Sequence, residues 1–343
     1  MKTKKLLLVV FAVTCLLQTA CKTDDNMPMP NRCGDPAVQV YTSNTYDFLF
    51  DNNSTQLIAG EITGRISNSA GNALWFVNNA VVSSPSGPKT IANCLVEENN
   101  MKSQMVFRGA SSSPVDLLSP PNSNSWYSIN AGQYYNGTIE LVVSLWERTG
   151  SGTFDFAHRG VDVVVLDSVT YSVLNQVSVC YSDILFGSSL LQTDNHVYIY
   201  GARNNGLDKE SFVARVDGGS LLQTWKFCEE GNWLEDIAQA KPIHHNVNDY
   251  YTVFNYDGIY YMVSQTAAFG QEIALYSSTS PFGGWKFEKY LYCRNTADGL
   301  NSINTKVLGL TGESLLCAQQ LIDKNLQSLS PRKPEFIELK NWK

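Results

Sequence analysis

The sequence is poor in histidine, with four in 343 residues, and poor in charge, with only 17% Asp, Glu, Lys and Arg. It has no Cys-x-x-Cys and no Cys/His cluster, which argues against structural zinc. His244 and His245 are adjacent, so on any strand they would face opposite sides and could not share a metal. No Gly-x-Ser-x-Gly elbow occurs, and the isolated Ser111-Ser112-Ser113 tract is no substitute for one. The expectation is therefore no metal and no cofactor. Basic residues are outnumbered, 25 Lys and Arg against 32 Asp and Glu, for a net charge of −7. Phosphate backbones demand basic patches, so nucleic acid is excluded as a partner. Beyond the N-terminal segment no stretch is apolar enough to cross a bilayer.

That N-terminal segment has its own reading. Lys2, Lys4 and Lys5 precede the apolar run Leu6–Leu17, which is too short for a stable transmembrane helix and reads as a signal peptide. It ends in Gln18-Thr19-Ala20-Cys21, which resembles the bacterial lipobox, although Gln18 stands where an apolar residue is usual. The Lys22-Thr23-Asp24-Asp25 that follows resembles the surface-export signal of some Gram-negative lipoproteins. The expected organisation is a lipoprotein signal peptide over 1–21 with Cys21 as lipid anchor, a flexible tether over 22–36, and one folded domain over 37–343. Pro28, Pro30 and Pro36 support the tether. The expected location is the outer membrane at the cell surface, with the membrane touched through the lipid anchor only.

What the remainder does contain is a repeat. Trp225-Lys226-Phe227 and Trp285-Lys286-Phe287 each follow an aromatic-rich hairpin strand, Val197-Tyr198-Ile199-Tyr200 and Ile259-Tyr260-Tyr261-Met262-Val263. Turn-plus-strand signals recur at Gly71-Asn72, Asn136-Gly137, Asp194-Asn195, Asp257-Gly258 and Gly312-Glu313, roughly sixty residues apart. Five such units of short antiparallel strands predict an all-β fold, a five-bladed β-propeller of four-stranded blades. The ring is expected to close by pairing Val38–Tyr46 with Phe336–Leu339. Six cysteines follow Cys21, and six allow fifteen pairings. Cys180 and Cys317 lie in strand-like runs and read as buried thiols.

In a propeller the innermost strands converge on the axis, so they are where chemistry is sought. They are placed at Leu57–Ile66, Ser125–Ala131, Ile184–Leu191, His245–Phe254 and Ser302–Leu308. A carbohydrate needs an aromatic platform and a few polar groups on rigid strands. The expected ligand-binding residues are Arg65, Trp126, Asp183, Asn246 and Asn304, and the same strands and their flanks carry Glu61 and Asp249.

Phe186-Gly187, Val197–Gly201, Phe212–Val216, Trp225, Gly231-Asn232-Trp233, Ser280–Trp285 and Lys333-Pro334-Glu335-Phe336 together form a pattern similar to the glycosidase-like five-bladed propellers of exported bacterial proteins. That group includes endo-arabinanases. The resemblance implies a polysaccharide partner. Members that look catalytic carry an Asp-Gly pair in the first inner strand, where this chain has Gly60-Glu61-Ile62-Thr63-Gly64. Their His-Pro-Glu and Tyr-Asn-x-Asn in the last blade are replaced by Val307-Leu308-Gly309-Leu310 and Ala318-Gln319-Gln320-Leu321. Glycoside hydrolysis needs two carboxyls, one of raised pKa; Glu61 could be one, with Asp249 or Asp183 the other, and Glu61 with Asp249 is the expected catalytic pair. Two functions therefore stand side by side: a glycan hydrolase, and a glycan-binding or scaffolding lipoprotein that has lost its acids.

Overall fold

Turn chemistry sets the strands. At Asn136-Gly137 both residues take positive φ, 47° and 80°, and at Asp257-Gly258 they take 54° and 79°. This is the two-residue turn whose twist matches an antiparallel pair, which is why Asn or Asp precedes Gly. A computed structural model of the chain describes residues 28–29, 31, 33–50, 56–68, 71–100, 102–152, 154–205, 208–266, 270–311, 313–324 and 332–343. Cys21 and the signal segment lie outside the described residues.

Five antiparallel sheets form the expected all-β five-bladed propeller. Blade 1 is Leu57–Ser67, Ala73–Val82, Lys89–Asn99 and Lys102–Val106. Blade 2 is Ser125–Tyr135, Thr138–Arg148, Phe156–Asp167 and Val173–Cys180. Blade 3 is Leu185–Gln192, His196–Asn205, Asp208–Asp217, Lys226–Glu229 and Asn232–Leu234, widened by His244–His245 pairing with Ser211 and Glu210. Blade 4 is Thr252–Tyr256, Ile259–Gln265, Glu272–Ser278 and Lys286–Cys293. Blade 5 combines Leu300–Thr311, Ser314–Asp323 and Glu335–Lys340 with the N-terminal Gln39–Thr42. The N-terminal strand closes the ring, Gln39 opposite Lys340 and Thr42 opposite Ile337.

Two placements differ from expectation. The fourth inner strand is Thr252–Tyr256, so His245 belongs to blade 3 and Asn246 to the connection after it. The tether ends early. Met29 N donates to Val40 O, Asn31 Nδ2 donates to Leu291 O, and Cys33 is bonded to Cys293. Pro28 and Pro36 do not prevent docking of the described residues here, because a few hydrogen bonds and one covalent link hold Met29, Asn31 and Cys33 to blades 4 and 5.

The middle strands lack polar alternation because both their faces are buried between blades. In blade 1, Trp75 and Val77 face blade 5 with Phe336 and Ala318, while Leu74 and Phe76 face blade 2 with Ile139 and Leu141. In blade 3, Val197 and Ile199 face blade 2, and Tyr198 and Tyr200 face blade 4. Burying each such side chain stabilises the fold by roughly 1.5–3 kcal/mol. The repeated tryptophans, Trp225 and Trp285, are buried at matching places at the start of their blades' outer strands. Cys94, Cys180, Cys228 and Cys317 are buried free thiols.

Candidate functional site

Polar side chains near the axis stitch each blade to the next. Asn78 of blade 1 donates to Ile129 O and accepts from Ile129 N, both at 2.9 Å, imitating a strand bridge to blade 2. Asn130 of blade 2 donates to Phe186 O of blade 3 at 2.8 Å. Gly187 there has φ 104°, and a Cβ on it would lie 2.5 Å from Asn130 Cβ, so glycine is required by both conformation and space. Ser188 donates to Asp249 O, Asn248 Nδ2 donates to Ile303 O at 2.7 Å, and Gln265 Nε2 donates to Ser302 O at 2.6 Å. The last link, from blade 5 back to blade 1, is Asn304 Nδ2 donating to Glu61 Oε1 at 2.5 Å.

Glu61 is thus a link in the ring that carries an ionisable carboxyl. Burial lifts its carboxyl from 4.5 to about 7, the Asp249 charge adds to the rise, and hydrogen bonds from Asn304 and Asn79 oppose it. Asp249, in the connection leading into blade 4, receives the Lys209 ammonium on Oδ2 at 2.5 Å. Tyr250 is buried beside both carboxyls. Burial first, then the charges of Glu61 and Asp249, push its phenol well above the ordinary value, and its hydroxyl donates to Asn130 Oδ1 at 3.3 Å.

An aromatic group of blade 2 leads towards Asp249 through His158, which packs on Trp146 and feels the Asp249 charge. Trp126 stacks on Trp146 with ring centres 6.5 Å apart, Phe156 meets both edge-on, and Arg148 lies over Trp126 at 5.9 Å. His158 packs on Trp146 at 5.3 Å, and its Nδ1 lies 3.1 Å from Ser182 O. Burial lowers the His158 pKa, with the charges of Asp183 and Asp249 acting against the shift. His158 Nε2 is buried without a hydrogen-bond partner.

Of the residues expected from sequence, the structure brings Glu61, Asp249 and Asn304 together, with Asp183 and Trp126 reached through His158 and Trp146. It separates two others. Arg65 turns sideways, bonding Glu98 Oε2 at 3.2 Å and covering the Trp75 ring at 5.2 Å. Asn246 is exposed, with φ 59°, and its backbone N donates to Asp208. The sequence reading missed Lys209, Asn79 and Tyr250, which come from third, second and connecting segments rather than inner strands. It passed over His158 because a lone histidine carries no spacing signal. Among the described residues no three His, Cys, Asp or Glu are grouped so as to hold a metal ion.

Residues 44–309 match the family model of DUF5005, a domain of unknown function. No curated protein sequence matches the chain significantly. A Bacteroides ovatus ATCC 8483 protein provisionally assigned as a hydrolase shares the fold, with TM-score 0.73 and 16% identity, covering 92% of this chain and 94% of that one. A GH43_1 enzyme from Xanthomonas citri complexed with xylotriose aligns at TM-score 0.49 and 12% identity, covering 86% and 92%. An endo-arabinase from Bacteroides thetaiotaomicron VPI-5482 aligns at 0.47 and 13%, covering 82% and 93%.

Proposed function

The chain belongs to the DUF5005 family, and from that premise we propose that its glycosidase-like propeller engages polysaccharide at the axial mouth around Glu61 and Asp249. The observation that carries this reading is a carboxyl of raised pKa beside a second carboxyl, with a stacked tryptophan pair joined to them through His158. A group titrating at about 7 can hold a proton at neutral pH and give it to a leaving glycosidic oxygen. Asp249 is the partner carboxyl, and Trp126 with Trp146 supplies the platform a sugar ring stacks on.

A second reading, binding without turnover, is favoured by how occupied the pair is. Asn304 and Asn79 hold Glu61, and Lys209 holds Asp249. One experiment separates the two. A panel of purified plant and bacterial polysaccharides is scored for binding and for reducing-end release, with wild type, Glu61→Gln and Asp249→Asn. Release lost in both variants with binding kept supports hydrolysis, and binding without release by any protein supports the second reading. No binding to any polysaccharide overturns both. We further propose that Cys21 is acylated and holds the propeller at the outer membrane surface, on the lipobox-like Gln18-Thr19-Ala20-Cys21.

A further inference from the structure

The axis has a second chamber. A cavity of about 310 Å³ is built from the parts of the inner strands that lie beyond the Glu61–Asn304 layer: Thr63–Ile66, Ala131-Gly132, Ser189-Leu190, Thr252–Phe254 and Lys306–Leu310. Its wall is largely apolar, with Phe76, Leu190, Phe254, Leu308 and Leu310 prominent. Lys306 is 7% exposed at its inner end, where Nζ donates to Ser188 O and to Tyr251 O at 3.2 Å. Those two carbonyls leave one N–H of an ammonium unspent. Among the described residues no carboxylate pairs with it.

The charged and titratable groups around Lys306 are few. Arg65 lies on the cavity wall but is committed to Glu98. Glu61, Asp249 and Tyr250 lie in the layer above, and the Tyr251 hydroxyl is turned to Ser211 and Gly201 O. Burial alone moves the Lys306 amine, from 10.5 down to about 7. An uncompensated cation in an apolar chamber is costly, and an entering anion would offset that cost.

We infer that this chamber is a second ligand site, for a small aliphatic acid whose carboxylate meets Lys306 Nζ and whose carbon chain lies against the apolar wall. Small-molecule sites have this form, mostly apolar with one or two placed polar groups, and begin at about 300 Å³. The site is independent of the polysaccharide mouth and stands or falls separately.

The test is calorimetric titration at pH 6 and pH 8 with hexanoate, hexan-1-ol and glucuronate. Hexanoate is expected to bind at least tenfold more tightly than hexan-1-ol at pH 6. It should weaken about tenfold at pH 8, as the ammonium fraction of a group titrating near 7 falls by that factor. Lys306→Met should abolish binding. Gly309→Leu is the second variant, because Gly309 lines the chamber and a Cβ there meets nothing within 4 Å, so the side chain takes up part of the chamber with Lys306 intact. It should weaken binding at least tenfold. Equal affinity for acid and alcohol, no binding of hexanoate, or undiminished binding by Gly309→Leu would overturn the inference. A preference for glucuronate would overturn its aliphatic part.

Discussion

Glu61→Gln separates what the axial carboxyl does for the fold from what it does for chemistry. In the folded protein Glu61 titrates at about 7, against 4.5 ordinarily, chiefly through burial. Below 4.5 folded and unfolded chains both hold the proton, and the residue adds no pH dependence. Between 4.5 and 7 the folded state keeps a proton that the unfolded chain has released, so stability falls as pH rises through that window and levels off above it. The difference, 7 − 4.5, is roughly 2.5 units, worth about 3 kcal/mol at 1.36 kcal/mol per unit. Partial solvent access at the mouth makes this an upper bound. Glutamine keeps an oxygen to accept from Asn304 but has no charge to desolvate. Glu61→Gln should therefore match wild type near pH 4 and exceed it by up to about 3 kcal/mol at pH 8. Urea denaturation across that range measures the gap. A gap that stays constant with pH refutes the buried-acid assignment.

Three further outcomes are expected. Trp126→Ala should weaken polysaccharide binding at least tenfold in calorimetry while leaving the melting temperature within a few degrees, because Trp126 is half-buried at a strand end outside the blade cores. A collapse in melting temperature would instead mark the ring as packing. Cys33→Ser should cost up to about 5.6 kcal/mol on chain entropy alone, since the bond closes a separation of 260 residues. Equal denaturation midpoints with and without reductant would contradict this. Cys21→Ala should move the protein from the membrane to the soluble fraction, and continued pelleting with membranes would remove the lipid anchor.

The propeller was legible because its signals are local and repeated. Asn136-Gly137 and Asp257-Gly258 each define a hairpin without help from distant residues, and the two WKF runs mark equivalent outer strands. The fourth inner strand was misplaced because His244-His245-Asn246 carries strand-like flanks, yet the pairing partner is the third strand of the preceding blade. Such a choice depends on what lies alongside, not on the segment itself. Arg65 shows the same limit on a smaller scale. On a regular strand it would share a face with Glu61 and Thr63, but register shifts at Ala59/Glu61 and Ile62/Gly64 break the alternation, and it meets Glu98 and Trp75. Lys209 could not be found without the fold, since it meets Asp249 from the third strand of blade 3, and Tyr250, although next to Asp249 in sequence, is brought to Glu61 only by the fold.

The chemistry of the ring itself argues that Glu61 is more than a link. Asn78 to Ile129, Asn130 to Phe186, Asn248 to Ile303 and Gln265 to Ser302 all join amides to peptide groups, with no ionisable partner. The blade 5 to blade 1 link has the same donor type, Asn304 Nδ2, but a carboxyl as acceptor. A glutamine would accept that hydrogen bond equally well and escape the cost of ionising a buried acid above pH 7. Local rules broken at a net cost in stability mark sites held for another purpose. The glutamate sits where the Asp249 charge reaches it and adds to the rise of its pKa. If Glu61→Gln proves more stable at pH 8 yet binds and processes every glycan as wild type does, this reasoning fails and the carboxyl is only a costly rivet. If stability rises while function falls, the residue is the acid of the site.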